Sequence, residues 1–220
     1  MAAESSKSLR KKKVSPKDRK KQEKQVDDDK KKETGRLRGG GPPGAMSCIT
    51  WNCRGLGNTA TVKELREIAK KFAPTVLCVV ETQVNKARVE SLKGTLGYNN
   101  AFAVSSSGRS GGLGLYWNKN TKVEILPFSQ YHIDSIIFEN GGEPWRFTCV
   151  YGEAQTAERH KTWDMLKFIK ASSPLPWVCM GDFNEVLHRS EHDGVQERSH
   201  AQIAGFREMV DVCGLYETMT

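Results

Sequence analysis

The stretch Trp177-Val178-Cys179-Met180-Gly181-Asp182-Phe183-Asn184-Glu185 is the most chemically loaded of the chain. A short apolar run ends in a glycine and then delivers a carboxylate, an amide and a second carboxylate within four residues. A carboxylate only accepts hydrogen bonds, whereas an amide donates and accepts. Asp182 and Asn184 therefore suit a site that positions a water and steadies a phosphoryl group. In an extended exit from a strand, residues two apart project from the same side of the chain, which would set both over one site. Taken alone, Asp-x-Asn after a strand also describes an ordinary Asx turn.

Other apolar strands end in residues of a similar kind. Ser47–Asn52 ends in Asn52, within Trp51-Asn52-Cys53-Arg54-Gly55, and Thr75–Glu81 ends in Glu81. A further strand ends in Tyr151, which adds a phenolic donor. In α/β sheets the C-terminal strand ends gather along a common edge, where sites form. An amide and a carboxylate from neighbouring strands are hard oxygen ligands of the sort Mg²⁺ takes while keeping waters for a phosphate substrate. A lone Glu after a strand is usually a solvated cap. Specificity comes from the set and its order along the chain.

The elements that must position these residues can be read from periodicity. A helix is predicted from Thr61, with Glu64 completing a capping box and Val62, Leu65, Ile68 and Phe72 on one face, ended by Pro74. The unbroken run before Glu81 reads as a strand buried on both faces. A short helix follows near residues 87–92. Strands are predicted at 100–104, 112–117, 122–127, 132–139 and 145–151, punctuated by Ser107-Gly108, Asn118–Asn120 and Asn140-Gly141-Gly142. A helix near 157–170 turns Trp163, Leu166 and Ile169 inward. Trp177–Met180 is a buried strand that Gly181 allows to leave the sheet. Ser199 and Gln202 form a capping box for a last helix that buries Ile203, Phe206 and Val210 and stops at Gly214. The pattern predicts a layered α/β sandwich.

Charge divides the chain. Residues 1–45 hold 15 Lys or Arg against 7 Asp or Glu, and residues 46–220 hold 19 of each, so the whole excess of +8 lies in the first segment. That segment has no aromatic residue, and its large aliphatics are Leu9, Val14, Val26 and Leu37, too few for a core. It reads as a disordered basic tail whose Lys/Arg runs at 10–13, 17–24 and 30–32 suit a polyanion or an import receptor, closed by the linker Gly39–Gly44. Residues 46–220 read as the folded domain. The six cysteines form no C-x-x-C pair, and four sit in apolar runs, which argues for a reducing compartment and against a zinc site or disulfide framework. With no signal peptide and no apolar run of about eighteen residues, the expectation is a nuclear or nucleocytoplasmic protein, neither secreted nor membrane-bound.

WNCRG at 51–55, ET at 81–82, SGRSGGLGLYW at 107–117, YG at 151–152 and GDFNE at 181–185 resemble the endonuclease/exonuclease/phosphatase superfamily. The likeness is greatest to the endonuclease domain of plant non-LTR (LINE-type) retrotransposons and covers about residues 46–217. It implies an α/β fold of the deoxyribonuclease/AP-endonuclease type, a four-layer α/β sandwich, and cleavage of DNA phosphodiesters with Mg²⁺ or Mn²⁺. By resemblance, Asn52 and Glu81 would hold the metal, Tyr151 would contact the scissile phosphate, and Asp182 and Asn184 would align the attacking water. The family pattern also includes a late Asp-His pair, written S-D-H, and an R-L-D-R-like segment. None of His132, His160, His188, His192 and His200 is preceded by Asp, and His192-Asp193 reads as a surface loop in the reversed order. The domain is accordingly expected to be C-terminally truncated, lacking about its final third, and weak or inactive. A non-catalytic nucleic-acid-binding remnant and a phosphoinositide or sphingolipid phosphodiesterase of the same fold are the alternatives.

The charge division generates a first prediction. Deleting residues 1–45 should remove nearly all affinity for DNA at low salt, and the full chain's affinity should fall steeply as salt rises, because phosphate neutralisation dominates such binding. Unchanged low-salt affinity of the shortened chain in an anisotropy titration would refute this.

Overall fold

The run Val76–Val80 has no solvent exposure at any residue, and two sheets and two sets of helices are arranged around it. A computed structural model describes residues 46–108, 110–138, 141–191 and 198–217 and the backbone of 35–37. The strands are β1 (Gly35–Leu37), β2 (Cys48–Asn52), β3 (Val76–Val80), β4 (Asn100–Val104), β5 (Leu113–Trp117), β6 (Lys122–Ser129), β7 (His132–Phe138), β8 (Trp145–Tyr151) and β9 (Trp177–Asp182). The helices are α1 (Thr59–Phe72), α2 (Lys86–Ser91), α3 (Lys93–Leu96), α4 (His160–Ala171) and α5 (His200–Cys213).

One sheet has the order β1-β2-β3-β5-β4 and the other β6-β7-β8-β9. In β3 the strand period of two sends Val76, Cys78 and Val80 towards the second sheet and Leu77 and Val79 towards the helices. The first set packs with Leu113, Leu115, Ile133, Ile137, Phe147 and Cys149 between the sheets. The second packs under α1, α2 and α3 with Leu65, Ala69, Val89 and Leu96. Leu166 of α4 and Phe206 and Met209 of α5 cover the outer face of the second sheet. The result is the predicted four-layer α/β sandwich. No helix among the described residues is long and apolar enough to cross a membrane.

Several local expectations change. Helix α1 starts at Thr59 because Asn58 caps it, its side chain accepting from the Ala60 N–H at 2.9 Å, so the Thr61–Glu64 capping box is not the start. The Ser199–Gln202 box forms as expected, with both reciprocal hydrogen bonds. Gly35–Leu37, counted with the tail by composition, pairs antiparallel with Cys48–Thr50. Strand pairing uses backbone groups, to which composition is blind. The Lys/Arg runs of the tail, and His192 and Asp193, lie outside the described residues. Strand β9 continues through Gly181 and Asp182, so Gly181 does not mark the exit. Its φ of 152° is one other residues disfavour, as expected, and a Cβ there would also lie 1.8 Å from the Val150 carbonyl oxygen.

The cysteine expectation is also corrected. Cys78 and Cys149, 71 residues apart in sequence, form a disulfide with a Cα–Cα distance of 6.2 Å. Alternation along β3 and β8 places both on the facing surfaces of the two sheets, a juxtaposition set by tertiary pairing and absent from sequence spacing. Cys48, Cys53, Cys179 and Cys213 are not joined in disulfides, and burial pushes Cys53 up to about 12.

The two edges of the second sheet differ. β6 carries Lys122, Glu124 and Pro127 and a register shift between Ile125 and Phe128, devices that protect an edge. β9 carries no charge before Asp182, and its residues border an apolar groove of about 440 Å³ closed on the far side by Phe206, Val210 and Leu215.

A buried ion pair ties α4 to this sheet. Arg146 Nη2 donates to Asp134 Oδ2 at 2.5 Å and Arg146 Nη1 to the Ile169 carbonyl at 2.5 Å, while Thr148 Oγ1 donates to Asp134 Oδ1 at 2.8 Å. Breaking a buried pair by removing one partner strands a charge. Asp134→Ala is therefore expected to cost about 3–5 kcal/mol in urea unfolding, and adding Arg146→Met should recover most of the loss. A cost below about 1 kcal/mol, the range of surface pairs, would show that the pair is peripheral.

Candidate active site

Parallel pairing within each sheet aligns the strand ends. In β2 and β3, Asn52 is in register with Val80, so Glu81 follows immediately beyond. In β8 and β9, Tyr151 is in register with Asp182. The two sheets meet at this end, where Asn52 Nδ2 donates to Asp182 Oδ2 at 2.8 Å across 130 residues of sequence. Tyr151 lies within the electrostatic reach of both Glu81 and Asp182. The sequence-predicted residues Asn52, Glu81, Tyr151 and Asp182 are thus brought together from four strands.

The backbone here is held in unusual conformations. Arg54, Glu81, Gln83 and Asn184 have φ of 48°, 58°, 54° and 54°, the left-handed region that non-glycine residues rarely occupy. Such conformations persist only where surrounding contacts over-determine them, and they gather at functional sites. Those contacts are visible. Gly55 N–H donates to the Glu81 carbonyl at 2.9 Å, Leu56 N–H to that of Thr82 at 2.8 Å, and Gln83 N–H to that of Gly111 at 3.0 Å. Leu56 is fully buried and anchors the first of these loops. Gln83 Nε2 donates to Glu81 Oε1 at 2.9 Å, which fixes the orientation of the other carboxylate oxygen.

Asn184 does not project beside Asp182 as an extended exit would require. The chain turns at Asn184, whose N–H donates to Asp182 Oδ1 at 2.9 Å in an Asx turn, and whose Nδ2 donates back to the Gly152 carbonyl at 2.7 Å. The Asx-turn reading of Asp-x-Asn is the one that forms, and it ties Asn184 to Gly152 instead of setting it beside Asp182. Gly152 N–H donates to the Asp182 carbonyl at 2.7 Å, and a Cβ on Gly152 would fall 2.2 Å from the Phe183 carbonyl oxygen. The Tyr-Gly pair is therefore locked to the Asp182 turn. Glu185 is turned inward, its fully buried side chain accepting from Arg159 Nη1 at 3.0 Å.

Burial first, and then the fields of Glu81 and Asp182, raise the pKa of Tyr151, while a hydrogen bond with the Ser110 side chain opposes the shift. Tyr151 is therefore a phenol at neutral pH and can donate. Among the described residues no group of three or more His, Cys, Asp and Glu is arranged to hold a metal. The donors present are the Asn52 amide oxygen, Glu81 and Asp182, hard oxygens of the few-ligand kind that suits Mg²⁺, and neither carboxylate is in a salt bridge among the described residues. The described histidines are engaged elsewhere: His132 with Ser129, His160 with the Ala157 carbonyl, His188 with Arg207 and His200 with Arg189.

Gln83, Ser110 and the pair Tyr131–Glu153 escaped the sequence reading. Each acts through a contact between loops, and only the crowding of Ser and Gly at 105–112 hinted at one of them.

Residues 49–215 match the model of the Endonuclease/Exonuclease/phosphatase family. The chain is 26% identical over 182 residues to a DNA-(apurinic or apyrimidinic site) endonuclease of Dictyostelium discoideum, a match covering 73% of this chain and 47% of that protein. It thus spans about half the length of this relative. An AP endonuclease from Archaeoglobus fulgidus has a similar structure, with a TM-score of 0.59 and 13% identity over 76% of this chain and 71% of that one. The AP endonuclease LMAP from Leishmania major gives a TM-score of 0.56 and 17% identity over 86% and 69%. These two likenesses establish the fold. The family match spans every residue gathered at the strand ends, and the chain belongs to the endonuclease/exonuclease/phosphatase family.

Proposed function

We propose that this chain hydrolyses phosphodiester bonds in DNA with a divalent metal, as the endonuclease domain of a plant LINE-type retrotransposon does. The observation that carries the reading is the convergence of Asn52, Glu81, Tyr151 and Asp182, with the Asn52–Asp182 hydrogen bond at 2.8 Å joining the two sheets at the site. Asn52 and Glu81 would hold Mg²⁺ or Mn²⁺, and the bound ion supplies Lewis acidity at a phosphoryl oxygen. Asp182, its carboxylate oriented by Asn52 and by the Asn184 N–H, accepts a hydrogen bond from the attacking water and takes its proton. Tyr151 donates to a phosphate oxygen without adding negative charge. Asn184, whose amide nitrogen is committed to the Gly152 carbonyl, acts as a positioning residue for the Tyr151–Gly152 wall. DNA is the partner proposed for the basic tail, and a nuclear or nucleocytoplasmic setting follows from that partner.

The 220 residues contain no Asp-His pair to set an imidazole against the phosphate, so they should nick supercoiled plasmid negligibly. Fusing after Thr220 a relative's C-terminal segment bearing S-D-H should bring Mg²⁺-dependent nicking, and Asp182→Ala in that fusion should lower it by about two to four orders of magnitude. A folded fusion that does not nick, or whose nicking survives Asp182→Ala, would overturn the hydrolase reading. Robust, Asp182-dependent nicking by the unfused chain would instead overturn only the claim that the chain is weak.

A further inference from the structure

A cleft of about 200 Å³ shares Tyr151 with the site and is lined by Ser107, Ser110, Gln130, Tyr131, Tyr151 and Glu153. Its volume is below the ~300–1,000 Å³ of ordinary small-molecule pockets and suits one planar group. The wall it shares with the site is rigid, because Gly152 is bonded to the Asp182 carbonyl and to Asn184. Glu153 follows directly on that wall. Its backbone N–H donates to Thr162 Oγ1 at 3.0 Å, and its carbonyl accepts from Arg159 Nε at 3.3 Å.

The Glu153 carboxylate is held at both oxygens. Tyr131 OH donates to Oε2 at 2.5 Å and the Gln155 N–H to Oε1 at 2.9 Å. A carboxylate offers about four lone-pair positions, so acceptor capacity remains on each oxygen. The Glu153 carboxylate in the lining favours a group that donates hydrogen bonds over a second phosphate. A strand whose phosphate sits at Tyr151 carries such groups on its neighbouring base. Cytosine presents an N4 amine and adenine an N6 amine, whereas the one ring donor of thymine, its N3–H, lies between two carbonyl acceptors that repel a carboxylate.

We infer that this cleft receives the base adjoining the bound phosphodiester, and that Glu153 selects bases bearing an exocyclic amine over thymine. The inference rests on the phosphodiesterase reading for the placement of the phosphate, yet it is testable by binding without turnover. The probes are fluorescein-labelled single-stranded oligothymidylates carrying A, C, G or T at one central position, titrated by anisotropy onto the full chain with Ca²⁺ in place of Mg²⁺. The amine-bearing probes should bind about five- to a hundredfold tighter than all-thymine, the range of one good base contact. Glu153→Gln should erase that preference.

Tyr131→Phe supplies a second variant with a pH readout. The Tyr131 hydrogen bond is the main cause that holds the Glu153 carboxyl below its ordinary range. In the wild type the preference should therefore fade as pH drops through that lowered value, and in Tyr131→Phe the loss should begin at higher pH. Thermal unfolding checks that both variants fold. Equal binding of all four probes by the wild type, or a preference that survives Glu153→Gln, overturns the inference. A preference that Glu153→Gln removes, beside a fusion that never nicks, would keep the base cleft and discard the hydrolase.

Discussion

The contact on which the rest depends is the hydrogen bond from Asn52 to Asp182, which closes the gap between two sheets at one end of the sandwich. Neither sheet holds a site alone. The first brings Asn52 and Glu81 on parallel neighbours, and the second brings Tyr151 and Asp182 on another parallel pair. What sets the two pairs against each other is the interior between them, where Val76, Cys78 and Val80 of β3 meet Phe147 and Cys149 of β8. The packed interior fixes the separation of the sheets, and close-packed interiors do not deform gradually. The site geometry is thus a consequence of core packing some residues below it.

The site is electrostatically coupled: after burial, the fields of Glu81 and Asp182 raise the pKa of the buried Tyr151 phenol. The backbone around them is also strained, with left-handed Glu81, Gln83 and Asn184. That strain opposes folding, and the loop-to-loop hydrogen bonds of Gly55, Leu56 and Gln83 are what hold the backbone in place. Such local violations of otherwise consistent rules are what a functional site looks like in physical terms.

Much of this was legible in the sequence. Apolar runs announced β2, β3 and β9, turn residues separated the strands between, and the polar residue ending each run named the site. What failed did so for stated reasons. Asn184 was expected to project beside Asp182 because strand alternation was extended past the strand, while its left-handed turn belongs to the loop. The Cys78–Cys149 pairing and the short strand β1 depend on contacts that spacing and composition do not encode. Gln83 carried no signal of its own in the sequence, because its hydrogen bond to Glu81 forms only once the left-handed loop is in place.

The choice of tyrosine at position 151 follows from the same electrostatics. A lysine or arginine there would pair with Glu81 and Asp182, and under the proposed function those carboxylates would be unavailable to a metal and a water. A carboxylate would add negative charge where that function calls for a phosphate. A phenol avoids both outcomes: burial and its acidic neighbours hold it protonated, so it stays neutral and still offers a donor. Replacing the hydroxyl by hydrogen would leave the carboxylates in place and remove only that donor. The acidity of the site and the identity of Tyr151 are therefore linked: the more negative the cluster beside it, the more firmly the phenol keeps the proton it can donate.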